Sequence, residues 1–274
     1  MSETRSGTPR IDALASAVAD EYASTRRLLS FSEWFELLCK DPERQGRNAA
    51  QYVKDAMDYF GQREVRTPSG MVRRFKIFDR PFDDGHRLVG QEAAQNEIYE
   101  ALEGFCQLGR TNRMLLLHGP NGSAKSTLLD CLLRGVEAYA RTDEGAIYGF
   151  SWVFPKNSDR TSGIGFSSGE STVAPIDGSF AKLGDDMIQA RLADETRDHP
   201  IYLIPVNQRR RLIEEFSGRL DSGFSFGQQI LSAELSARNR KIFDALLHAN
   251  SGDLERVLAH VRVERIMFSR AYRC

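Results

Sequence analysis

Nine consecutive residues, Gly119, Pro120, Asn121, Gly122, Ser123, Ala124, Lys125, Ser126 and Thr127, have the types and spacing that phosphate chemistry requires. They match G-x-x-x-x-G-K-[ST], with alanine in place of the second fixed glycine. A phosphate chain has to be surrounded by backbone amides, which demands a tight loop of small residues followed by a helix whose N-terminal dipole favours anions. Gly119, Gly122 and Ser123 meet that demand. Lys125 would set an ammonium against the terminal phosphates, and the Ser126 hydroxyl would coordinate magnesium. ATP with Mg2+ is therefore the expected ligand, and Ala124 fits if its backbone angles tolerate a Cβ.

A P-loop enzyme also needs a carboxylate on a neighbouring strand to hold the metal and orient water. No apolar run ends convincingly in Asp or Glu. Asp194-Glu195 follows Leu192-Ala193, but Met187 to Arg191 reads as helix, so these acids are expected on a helix surface. The catalytic group stays unassigned. His86, His118, His199, His248 and His260 are scattered without metal spacing, and loop or core positions are expected for them. Arg209, Arg210 and Arg211 read as a solvated basic helix face. Cys39, Cys106, Cys131 and Cys274 lie far apart with no C-x-x-C pair, which suits reduced structural thiols.

The elements that must position the loop are partly visible. Met114-Leu115-Leu116-Leu117 is a short continuous apolar run, the pattern of a strand buried on both faces of a parallel sheet. Beyond the loop, Leu128, Leu129, Leu132, Leu133 and Val136 recur at helical spacing. The order is strand, glycine loop, helix. Ala146 to Phe154 and Ile201 to Val206 read as further strands, and Arg209 to Phe216 and Ala237 to Ala249 as helices. The expected fold class is α/β, a P-loop NTPase with a parallel sheet and flanking helices. A small helical N-terminal unit precedes it.

That unit occupies residues 1–80 and the P-loop region 81–274. Residues 1–10 read as a disordered tail, followed by a helical pattern through Ile11, Leu14, Val18 and Tyr22. Ser30-Phe31-Ser32-Glu33 is a capping box, the helix it opens buries Trp34, and Asp41-Pro42 stops it. A third helix runs through Ala49, Val53, Ala56, Met57 and Phe60 to Gly61. Val65 to Phe78 suggests a hairpin around Pro68-Ser69-Gly70, and Ala94, Ile98, Leu102 and Phe105 mark another helix. Residues 156–179, rich in Gly and Ser, read as a long mobile loop.

Composition excludes several classes. With 37 basic and 38 acidic residues among 274, the formal net charge of -1 supplies no global field for nucleic acid or an anionic membrane. Hydrophobic residues at 41% and charged residues at 27% are ordinary for a globular chain. Met1 to Arg10 lacks the apolar stretch of a signal peptide and no run approaches a membrane span, so a cytoplasmic location is the default expectation.

The chain resembles the N-terminal and AAA-type ATPase region of the bacterial PrkA serine protein kinases. The resemblance lies in Gly119-Pro120 through Gly122-Ser123-Ala124-Lys125-Ser126-Thr127, Thr142-Asp143-Glu144-Gly145, Asp198-His199-Pro200 before Leu203-Ile204-Pro205, and Val263-Glu264-Arg265. It implies that alanine at position 124 is usual and that Val89 and Gly90, within Val89-Gly90-Gln91, flank the adenine. It further implies ATP-dependent protein serine phosphorylation by a longer protein, with the acidic strand beyond Cys274. An unidentified protein substrate and a second copy of the chain are open as partners. A non-catalytic nucleotide-binding regulatory module is the alternative.

Overall fold

The computed structural model describes residues 28–68, 70–80, 87–111, 114–156, 175, 178–220 and 223–269. The tail, the helical pattern from Ile11 to Tyr22 and nearly all of the Gly/Ser-rich segment lie outside them. Strand β1 (Leu28–Ser30) leads into helix α1 (Phe31–Lys40). Ser30 and Glu33 close the capping box, Ser30 Oγ accepting from the Glu33 amide at 3.2 Å and Glu33 accepting from the Ser30 amide at 2.8 Å. Asp41 ends the helix, and Pro42 opens the short α2 (Pro42–Gly46), where a missing N–H costs nothing. Helix α3 (Ala49–Phe60) is also boxed, by Asn48 and Gln51, and stops at Gly61 with φ 76°. The hairpin follows as β2 (Gln62–Thr67) and β3 (Gly70–Phe75).

Helices α4 (Glu92–Leu108) and α5 (Lys125–Ala140) flank the glycine loop. The chain continues through β4 (Ile147–Pro155), β5 (Ile188–Ala193), α6 (Val206–Ser217), α7 (Gln228–Ser232), α8 (Ala237–Ala249), α9 (Leu254–Ala259) and β6 (Val261–Ile266). The four-stranded sheet has the order β1-β6-β4-β5, and every pairing in it is antiparallel. Strand β4 feeds opposite faces by its period of two. Tyr148, Phe150, Trp152 and Phe154 enter a core with α1, α6, α7, α8 and α9, while Ile147 touches a second core and Val153 a third. The second core joins α3, β3, α4 and α5. At Gly135 a Cβ would stand 2.0 Å from Ile77 Cγ1, so glycine lets α5 lie directly on the 3-10 turn Lys76–Asp79.

Three sequence expectations differ from the described structure. The described sheet is antiparallel where the sequence predicts a parallel one, and among the described residues Met114–Leu117 pairs with no strand. Those four residues are 87%, 45%, 79% and 36% exposed. A continuous apolar run signals a demand for burial but carries no information about its ladder partner, and β4 already has β5 and β6 at its two edges. Ile201–Val206 is not a strand: Pro200–Leu203 forms a 3-10 turn and Val206 begins α6. Ile201 and Leu203 are nonetheless buried, which is all that their hydrophobicity demanded. Residues 188–191, read as helix, belong to β5, where Ile188, Ala190 and Leu192 alternate in burial with their neighbours and pair against β4. Among the described residues no helix is long and apolar enough to cross a membrane.

Candidate phosphate site and its base-side turn

The loop before α5 has the backbone that its glycines anticipate. Gly122 has φ 83° and Ala124 φ 58°, ψ 21°, both left-handed. At Gly119 a Cβ would meet Ser123 Oγ at 2.9 Å, so a side chain there would push Ser123 out of the loop. The Ser123 amide donates to Pro120 O at 3.3 Å, and Leu128 N to Ala124 O at 2.8 Å starts the helical ladder. Alanine at 124 therefore adopts the glycine-type conformation, and its methyl packs on the second core.

Lys125 folds back across the loop. Its Nζ donates to Gly119 O at 2.8 Å, Pro120 O at 2.7 Å and Ser123 Oγ at 3.0 Å, using all three ammonium protons. The 16-residue helix α5 begins at this lysine, and its N-cap, Ala124, has no side-chain oxygen with which to satisfy the first amides. Helices α1 and α3 carry complete capping boxes, whereas α5, like α4, α6, α7 and α8, has no side-chain cap. Asn121, Gly122 and Ser126 are exposed on the loop and first turn. An anion at this end would meet uncapped amides and an ammonium whose present acceptors are uncharged oxygens, and charge-assisted bonds are the stronger ones.

Val89 and Gly90 lie beside the same helix. Leu88 is buried with Leu128 and Cys131 of α5, and the Cys131 thiol, raised above its ordinary range by burial, lies within hydrogen-bond reach of the Leu88 backbone. Val89 itself is 85% exposed. Gly90 at φ 74° and Gln91 at φ 65° form a left-handed pair before α4.

Two other segments of the sequence resemblance, those of Thr142 and Arg265, serve α5 at its opposite end. Arg265 Nη2 donates to Ala140 O at 2.9 Å and Thr142 O at 2.5 Å, and Thr142 Oγ1 donates to Tyr139 O at 2.7 Å. A buried guanidinium thus caps the carbonyl end, where the helix dipole favours a cation. Arg47 adds bonds to the Tyr139 hydroxyl at 2.8 Å and to Glu144 O at 2.7 Å. Asp198 accepts from the Ser236 amide at 2.7 Å and Asn239 Nδ2 at 2.8 Å, and Asn239 accepts from the Trp152 indole at 3.0 Å.

The chain is similar to PrkA. Over 121 residues it is 30% identical to the ATP-dependent protease PrkA of Bacillus subtilis (strain 168), an overlap of 43% of this chain and 17% of that protein. The chain thus corresponds to a small part of that relative, whose name is that of a protease rather than a kinase. No protein-family model matches the chain, and no solved structure matches it.

The weaker sequence candidates have local roles. Asp194 accepts from the Thr196 amide at 3.0 Å and from the Asp198 amide, and Glu195 pairs with Arg238, so both belong to the turn after β5. His199 donates from Nε2 to Gln45 O at 2.9 Å and accepts the Ile201 amide at Nδ1, between the Trp34 and Tyr202 rings. His260 donates to Val153 O at 2.9 Å. Arg209 is not on a solvated face: it is 1% exposed, bonded to Ile230 O and Ala233 O, and stacked over Tyr202. Among the described residues no group of three or more His, Cys, Asp or Glu stands together in a way that could hold a metal.

Sequence reading missed Arg74 and Gln95, which are buried behind the Val89-Gly90 turn. Gln95 had left a signal, since it stands on the helical stripe of Ile98 and Leu102 where an apolar residue is expected.

Proposed function

We propose that Gly119–Thr127 binds the phosphates of Mg-ATP, with Lys125 on the terminal phosphates, Ser126 on magnesium, and Val89 and Gly90 beside the base. The observation that carries this reading is the pairing of a left-handed loop at Gly122 and Ala124 with an uncapped 16-residue helix beginning at Lys125. Such a terminus combines free amides with a favourable dipole. Lys125 already lies across the loop on three neutral acceptors, and phosphate oxygens would replace them with charged ones. In this reading Met114–Leu117 is the strand that a P-loop unit places before its loop. An AAA-type parallel sheet would then need partners for it other than the four strands described.

The similarity to an ATP-dependent protein supports the same ligand. We assign the chain the role of an ATP-binding module within ATP-driven chemistry on another protein, serine phosphorylation being the reaction that the PrkA resemblance implies. A regulatory module that binds nucleotide without turnover is the second reading, and it is favoured by β4, which carries no Asp or Glu along Ile147–Pro155. Calorimetry with Mg-ATP tests the common core of both. Lys125→Ala is expected to weaken binding by about 10- to 100-fold, the worth of one charge-assisted contact. Equal affinities for the two proteins would remove the assignment.

A further inference from the structure

The turn that carries Val89 is held from beneath more firmly than an exposed turn needs. Arg74, on β3 and 8% exposed, donates from Nη2 to Leu88 O at 2.7 Å and from Nη1 to Gly90 O at 3.4 Å, so one guanidinium spans both carbonyls that flank Val89. The same group pairs with Asp79 at 2.7 Å and Glu92 at 2.5 Å. Gln95, fully buried, donates to Gly90 O at 3.2 Å and accepts the Phe75 amide at 3.2 Å. Two successive residues, Gly90 and Gln91, are kept in the left-handed region, and Gln91 bears the strain of a Cβ there. Strained backbone persists only where its surroundings over-determine it, and the clamp does so while leaving Val89 85% exposed. The backbone of the turn is thereby fixed with Val89 facing outward, and its Leu88 meets α5 at Cys131, six residues or about 9 Å along that helix from Lys125.

We propose that Arg74 and Gln95 are positioning residues for nucleotide-base recognition, holding Leu88 to Gly90 so that Val89 meets the face of an aromatic base. The proposal rests on the P-loop reading above. Neither residue touches the nucleotide, so the clamp should affect only that part of the affinity which depends on the base. A ligand with phosphates and no base separates the two contributions.

The experiment compares binding of Mg-ATP and of magnesium tripolyphosphate to the full 274-residue chain and its variants. Arg74→Lys keeps a cation between Asp79 and Glu92 but loses the planar fork that reaches two carbonyls at once. Val89→Ser alters an exposed side chain and spares the clamp. Each variant is expected to lower ATP affinity about tenfold, equivalent to one apolar contact, with tripolyphosphate affinity unchanged. The proposal is overturned if Arg74→Lys weakens both ligands by the same factor, if Val89→Ser binds ATP as the wild type does, or if the wild type holds both ligands equally. Absence of binding by either ligand to the wild type would overturn the P-loop reading and the clamp with it. Should Arg74→Lys fail to fold, Gln95→Met, which removes the neutral arm of the clamp together with the acceptor of the Phe75 amide, takes its place with the same criteria.

Discussion

Ala124 shows how one methyl group can stand where a glycine is expected. A left-handed alanine costs about 1–2 kcal/mol, while burying the methyl returns about 0.8 kcal/mol and alanine loses less backbone freedom on folding than glycine by about 0.5–1 kcal/mol. These terms nearly cancel. Ala124→Gly is thus expected to leave the urea midpoint almost unchanged, whereas Ala124→Val, β-branched in the same region, should destabilise by at least about 1 kcal/mol. His199 makes a second residue-scale case. Burial pushes its pKa down to about 4 from an ordinary 6.5, with the bond to Gln45 O opposing the shift. The folded state binds this proton less readily than the unfolded state, so the stabilisation is fully present above pH 6.5 and is lost as the pH falls towards 4. The loss amounts to roughly 3 kcal/mol. Stability measured from pH 7 to pH 4 should fall less steeply in His199→Gln, and the slope that remains should include His260, which burial also lowers.

Helix α5 is finished at one end and open at the other. Its carbonyl end is closed by Arg265, whose partners Ala140 O and Thr142 O are met by one nitrogen of a rigid planar group. Lysine has the charge without that geometry, so Arg265→Lys should cost about 1–3 kcal/mol of stability in denaturant unfolding. Buried guanidinium groups recur in this role: Arg262 bonds Ala181 O and Leu183 O, and Arg209 bonds Ile230 O and Ala233 O. Each satisfies carbonyls that no helix or strand would otherwise use. The run Met114–Leu117 is the opposite kind of element, apolar and exposed. Leu116→Ser should change the stability of this chain by less than about 0.5 kcal/mol, as expected of a surface position. A loss of about 2–5 kcal/mol would instead place Leu116 in a packed sheet.

At the scale of the molecule, two large cores meet at β4 and α3 stands in the second of them, so the glycine loop is anchored by residues from well before it in sequence. Arg47 and Tyr52 tie the start of α3 to Glu144 O and Gly145 O beyond α5. A ligand that binds only the folded chain must therefore stabilise the whole of it. Mg-ATP at 100 times its Kd is expected to add about 2.7 kcal/mol, seen as a higher thermal midpoint, and chelating the magnesium with EDTA should remove much of the gain. Hydrolysis belongs to a different set of groups. Asp194 and Glu195 are engaged in the turn after β5, so steady-state turnover by this chain should be far slower than its binding would suggest.

The sequence alone determined the features governed by local physics. Ser30 and Glu33 specify their own cap, Gly61 ends α3, Ala237–Ala249 is a helix by its period, and the strand around Trp152 is legible from its aromatics. The loop from Gly119 to Lys125 is legible for the same reason, since its backbone angles are set by small residues in succession. Strand direction, the partner of each strand and the neighbours of each buried polar group depend on contacts between distant segments, and hydrophobicity does not encode them. Only tertiary structure decided that β6 lies between β1 and β4, that Ile201 is buried on a turn instead of a strand, and that Arg74 reaches across from a hairpin to the turn of Val89. A guanidinium reads as a surface charge until the fold supplies the carbonyls that it satisfies.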